Sequence, residues 1–197
     1  MRPAPLRADA ARNRERVLAV ARAAVEAGDA SLALNEVARR AGVGVGTVYR
    51  HFPTRQALLE AVADEPLDQL LAGMRAAEAE PDPLAALTLL VRTAVVVETG
   101  HAGFAEVLTA PCAAAAATAA KKAELMAAGE RVLARARASG VVRPDLDAGD
   151  VQRLVCGMGY AARIGGDGAD SADGAGGHDS AARADRYTEV LIAGMRP

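Results

Sequence analysis

Apolar positions along the chain return with the period of a helix, and nowhere is there a sustained strand-like alternation. From about Asp9 to Ala27, Val17, Leu18, Ala21, Ala24 and Val25 share one face with arginines opposite, and Gly28-Asp29 stops the run. Residues 1–8 lack the pattern and read as a flexible arm. Short helices are expected over Leu34–Ala41, ended by Gly42, and Val45–Phe52, ended by Pro53. Thr54 is placed to cap a long helix through Leu58, Leu59 and Val62 towards Met74, which Pro66 must kink or interrupt. Asp82 and Pro83 start another helix, with Leu84, Leu87, Leu90, Val91 and Val95 inward, ending near Gly100. A short segment at Phe104–Leu108 precedes Pro111, and an alanine-rich helix then reaches Ser139-Gly140. The next helix, Asp147–Ile164, carries Val151, Leu154, Val155 and Met158 as its stripe. Residues 165–180 hold six Gly and four Asp and no large apolar side chain, so they read as a flexible loop. A last helix, Ala181–Met195, has Tyr187, Val190, Leu191 and Met195 on one side. The expectation is an all-α chain of about nine helices.

Composition agrees: 51% of the 197 residues are hydrophobic, yet 3% are aromatic and Trp is absent, which disfavours sheets. Charge adds something the pattern does not show. Up to Ala57 there are ten arginines against five carboxylates, a net +5, and the remainder has 13 basic and 20 acidic residues, a net −7. Such asymmetry suits a small nucleic-acid module on a larger acidic body, although arginine-rich helices can also simply solvate themselves. Cys112 and Cys156 have no metal spacing and read as reduced residues of a cytoplasmic protein. The basic N-terminus leads into no apolar signal region, and the longest uncharged stretch, Val107–Ala120, has 14 residues. A span needs about 20, so a soluble protein is expected, with no membrane partner. His51, His101 and His178 are scattered along the chain, which argues against an enzyme and against metal or cofactor sites.

The segment from Leu34 to Arg55 carries the chemistry. Two short helices joined by a turn with Gly42, with small Ala38 where they touch, make a helix-turn-helix. Val37 and Val48 fill its core, and Phe52, four residues after Val48, anchors the second helix by the same face. Val45, Gly46, Thr47, Tyr49 and Arg50 then face outward, Tyr49 having a place in the core as its alternative. Hydroxyls and cations suit phosphate, so Tyr49, His51, Thr54 and Arg55 form a clamp on one strand. Gly46 admits close backbone approach, Val45 and Thr47 offer methyls to thymine, Arg50 suits a guanine edge, and Asn35 an adenine. A nucleotide loop at Gly42–Gly46 fails, because no strand precedes it and Tyr49 stands where the third glycine belongs.

Leu34 to Leu59, LNEVARRAGVGVGTVYRHFPTRQALL, closely resembles the DNA-binding signature of TetR/AcrR-family regulators, without gaps. The resemblance implies a helical homodimer with an N-terminal three-helix helix-turn-helix domain (residues 9–55) and a C-terminal ligand-binding and dimerisation domain (residues 56–197). It implies a double-stranded operator and a small-molecule inducer as partners, and repression relieved by that inducer. By position, Gly46, Thr47, Tyr49, His51 and Arg55 fall on family DNA contacts, Arg55 replacing the commoner Lys. The dimer interface would fall on Val151, Leu154, Val155, Met158, Tyr187, Val190, Leu191 and Met195. Met74, His101, Phe104, Cys112, Met126 and Met158 are candidate pocket residues, each with plain core as the alternative, and a largely apolar ligand is expected. Two departures stand out: Gly44 replaces a capping Ser, and Ala33-Leu34 replaces a Thr that would offer a phosphate hydroxyl.

Overall fold

The computed structural model describes residues 5–29, 31–163 and 176–197. Those residues form ten α-helices and no strand: α1 (Pro5–Glu26), α2 (Leu34–Ala41), α3 (Val45–His51), α4 (Arg55–Val62), α5 (Asp64–Ala79), α6 (Pro83–Gly100), α7 (Phe104–Thr109), α8 (Ala116–Ala138), α9 (Ala148–Arg163) and α10 (Gly176–Met195). The tenth helix comes from Pro66. A helix running straight through would drive its ring into the Val62 carbonyl. The chain breaks at Ala63 instead and sets Pro66 in the first turn of α5, where the missing N–H costs nothing.

Two ends differ from expectation. Helix α1 starts at Pro5, a residue preset for a first helical position, so only residues 1–4 of the expected arm lie outside the described residues. Helix α10 starts at Gly176, so part of the expected glycine-rich loop is helical, and residues 165–175 of it lie outside the described residues. Once nucleated, a helix extends one hydrogen bond per residue, and two glycines weaken that without stopping it.

The chain packs as two compact units. The first is Met1–Glu65 with Ala102–Ala119, so it runs past the expected boundary at Arg55 and takes in α7. Its core holds Val17, Leu18 and Ala21 of α1, Val37 and Ala38 of α2, Val48 of α3, Leu58 and Leu59 of α4, and Phe104 and Val107 of α7. The second is Pro66–His101 with Ala120–Pro197. Within it α6 packs against both α9 and α10. Asp82 caps α6 by accepting from the Ala85 amide at 2.7 Å, with Pro83 next, as the sequence predicts. At 18 residues α6 is apolar and long enough to cross a membrane, but it bears Arg92, paired with Asp185 of α10 at 3.0 Å, and a fully buried Glu98. Gly159 of α9 lies so close to Glu98 that a Cβ there would sit 2.2 Å from the Glu98 Cγ. Charged side chains tie α5 to α8: Asp68 to Lys121 at 2.6 Å, Arg75 to Glu124 at 2.8 Å, and Glu78 to Arg131.

Candidate nucleic-acid interface

The turn between α2 and α3 is made by Gly42, with φ 62° and ψ 39°, a left-handed conformation that costs a side-chain-bearing residue about 1–2 kcal/mol. Its geometry lets the Val43 amide donate to the Ala38 carbonyl at 3.1 Å, closing the end of α2. Arg16 of α1 completes the closure. Its Nη2 donates to the Ala41 carbonyl at 2.5 Å and to the Gly42 carbonyl at 3.2 Å. A Cβ on Gly42 would stand 2.9 Å from that nitrogen, so the position is restricted twice over. Nothing in the local pattern announces the Arg16 contact, which spans 25 residues.

Helix α3 is pinned by one face. Val48 is fully buried and Phe52 nearly so, and the Arg14 guanidinium stands 5.5 Å from the Phe52 ring centre in a cation–π contact. Val45 and Tyr49 are each 45% exposed, which settles the alternative for Tyr49: it is no core aromatic. Gly46, Arg50 and His51 are exposed as well, Thr47 is half-buried, and Asn35 lies exposed on the first turn of α2. Beyond its own stretch of helix, no protein atom comes within 4 Å of where a Gly46 Cβ would be, so the surface is open there. Gly44 begins α3 without a side-chain cap, as its replacement of a Ser implies, and Ala33 begins α2 without one as well.

The arginines of this surface have partners within the chain. Arg50 folds back, its Nε donating to the Gly46 carbonyl at 3.0 Å, and Arg39 pairs with Glu36 one turn away. Thr54 caps α4 by accepting from the Ala57 amide at 3.0 Å, which leaves the role of its hydroxyl hydrogen separate. Arg55, at the first position of α4, meets two partners distant in sequence. Its Nε donates to the Ser31 carbonyl at 3.1 Å, and Nη1 and Nη2 take the two carboxylate oxygens of Glu106 on α7, the second at 2.9 Å. The Arg55 guanidinium holds the Glu106 carboxyl below the usual carboxylate range.

Glu60, in the second turn of α4, is buried. It accepts from the Ala114 amide at 2.6 Å, the Ala115 amide at 2.9 Å, and Gln56 Nε2 at 3.0 Å. Burial pushes its carboxyl up, but these bonds and one from Thr118 outweigh that and hold it below its ordinary value. The two amides lie just ahead of α8, whose positive end a carboxylate suits. Sequence reading found neither Glu60 nor Glu106, because each partner lies more than fifty residues away.

Comparison with known proteins decides what the fold is. Residues 17–62 match the family described as bacterial regulatory proteins, tetR family. Residues 82–197, more than half of the chain, match the C-terminal domain of SbtR-like transcriptional regulators of the same family. The chain belongs to the TetR family. It is therefore a DNA-binding transcriptional regulator with an N-terminal helix-turn-helix and a helical C-terminal domain.

This TetR-family chain is 35% identical over 66 residues to the HTH-type transcriptional regulator SAR0097 of Staphylococcus aureus, a match covering 32% of the chain and 35% of that protein. A solved TetR regulator from Mycobacterium vanbaalenii is 32% identical over 98% of the chain and all of its own, with a TM-score of 0.48. AibR, solved with isovaleryl coenzyme A and operator DNA, has the same fold at a TM-score of 0.63 and 17% identity, covering 94% of the chain and 98% of its own.

The remaining sequence-derived residues scatter more widely. Of the six pocket candidates, Phe104 (buried) and Cys112 (exposed) belong to the first unit. Met74 (buried), His101 and Met158 (half-buried) and Met126 (exposed) belong to the second. His101 donates from Nδ1 to the Val97 carbonyl at 2.9 Å. Among the dimer candidates, Val151, Val155, Leu191 and Met195 are buried within the second unit itself, and Met158 and Tyr187 are half-buried. Leu154 and Val190 point outward, 43% and 68% exposed, and so does Tyr160 at 65%, which the sequence pattern did not single out.

Proposed function

We propose that this TetR-family regulator is a ligand-responsive repressor that holds a near-palindromic operator as a homodimer and releases it when a small molecule binds. One observation carries the reading: Val45, Gly46, Tyr49, Arg50 and His51 are exposed together on a helix that Val48 and Phe52 lock in place. Tyr49, His51, Thr54 and Arg55 grip phosphates, and Val45, Thr47 and Arg50 read bases, with Asn35 beside them. Residues 9–55 carry the reading surface within the first unit, and the second unit serves sensing and pairing. Leu154, Tyr160 and Val190 are the side chains the fold leaves open to a second copy. Within the second unit, Met74, His101, Met126 and Met158 are the side chains proposed to meet an apolar inducer. AibR lends support, since the same fold there was solved holding both an acyl-coenzyme A and operator DNA.

In-vitro selection of bound duplexes, followed by salt titration on the winner, tests the proposal. The expected product is a palindrome with half-sites about 34–36 Å apart, bound with an affinity that falls steeply with salt. Failure to enrich any duplex, or indifference to salt, overturns it. Repeating the selected binding with a library of apolar small molecules tests the inducer.

A further inference from the structure

Arg55 is read above as a phosphate contact, yet its guanidinium already has partners within the chain. Nη1 and Nη2 take both oxygens of Glu106, and Nε is held by the Ser31 carbonyl. A guanidinium fork matches carboxylate and phosphate by the same parallel pair of hydrogen bonds. The Arg55 side chain is one-third exposed and that of Glu106 about one-half, so the pair is partly open to solvent.

Glu106 is not a stray neighbour. It sits on α7, which is fixed to the first unit by buried Phe104 and Val107 on either side of it. Gly103, just before α7, lies against Val25 of α1 and Leu59 of α4. A carboxylate is thus carried to Arg55 by an element built into the core of that unit.

We propose that Glu106 is an intramolecular stand-in for a DNA phosphate: it occupies the Arg55 fork in the absence of DNA, so the duplex backbone and α7 compete for one guanidinium. Affinity for any duplex, whatever its sequence, is then set by how firmly α7 presents Glu106. The inference rests on the reading of Arg55 as a phosphate contact, and the test separates the two.

Binding of a fluorescein-labelled 30-base-pair duplex of mixed sequence is measured by polarisation for the full-length wild type, Glu106→Gln, Arg55→Ala and the double variant. Glu106→Gln should tighten binding by about three- to fivefold, the scale of a partly exposed ion pair. In the Arg55→Ala background the same change should do nothing. Glu106→Asp, which keeps the charge on a shorter arm, should fall between, and circular dichroism melts establish that each variant is folded. Equal tightening in both backgrounds would mean a general charge effect and overturns the proposal, as does no tightening where Arg55→Ala alone weakens binding. If Arg55→Ala leaves binding unchanged, the phosphate-contact reading itself falls.

Discussion

At the scale of single residues, α3 divides its duties by burial. Phe52 is an anchor, and truncation to Ala should cost about 3 kcal/mol or more by emptying a packed site, read as a lowered melting temperature. Tyr49, nearly half exposed, should behave in the opposite way. Tyr49→Phe should leave the melt within about 0.5 kcal/mol of wild type while weakening duplex binding. A large loss of stability from Tyr49→Phe would return that ring to the core. Much of this division was legible in the sequence, because Val48 and Phe52 lie four apart and so share a helix face. The arginine roles were not. Arg16 closing the turn at Gly42 and Arg14 over Phe52 depend on how α1 crosses the motif, and no periodicity encodes a crossing.

At the scale of elements, α4 is held at both ends by carboxylate contacts to the chain between α6 and α8: Arg55 to Glu106 and Glu60 to the Ala114 and Ala115 amides. Glu60 makes a prediction about pH. Its folded carboxyl titrates below the ordinary value of 4.5, so its contribution is complete above that pH and is lost as pH falls through the folded value. Glu60→Gln should therefore be less stable than wild type at pH 7, since an amide offers one acceptor where two amides converge. The gap between the two proteins should narrow as pH drops below about 4.5. A gap that stays constant in denaturant titrations from pH 7 to pH 3 would show that the ionised carboxylate is not what holds the Ala114 and Ala115 amides. Helix ends explain why the count of helices was nearly readable and their limits less so. Asp82, Thr54 and Gly42 act as the sequence suggests, whereas the break at Ala63 is set by Pro66 three residues further on.

At the scale of the whole molecule, the apolar stripes of α9 and α10 divide by burial in a way that sequence alone ran together. Val151, Val155, Leu191 and Met195 close the second unit on itself, and Leu154 and Val190 do not. A charge at Leu154 or Val190 should shift a dimer towards monomer in sedimentation without unfolding the chain. A charge at Val155 should unfold it. If Leu154→Arg and Val190→Arg both sediment as wild type, pairing uses another surface. The periodicity that marks a helix face cannot say whether the face meets the same chain or another copy, since both remove apolar area from water in the same way.

The first compact unit is discontinuous: its core is finished by Phe104 and Val107, which follow the intervening helices α5 and α6. During synthesis the reading head must wait for those residues to emerge, a delay of several seconds at roughly 5–20 residues per second. The head is therefore not a portable cassette. A graft cut after Glu65 would carry Leu59 and Glu60 to the ribosome exit, or into a fusion partner, with their own cover left behind.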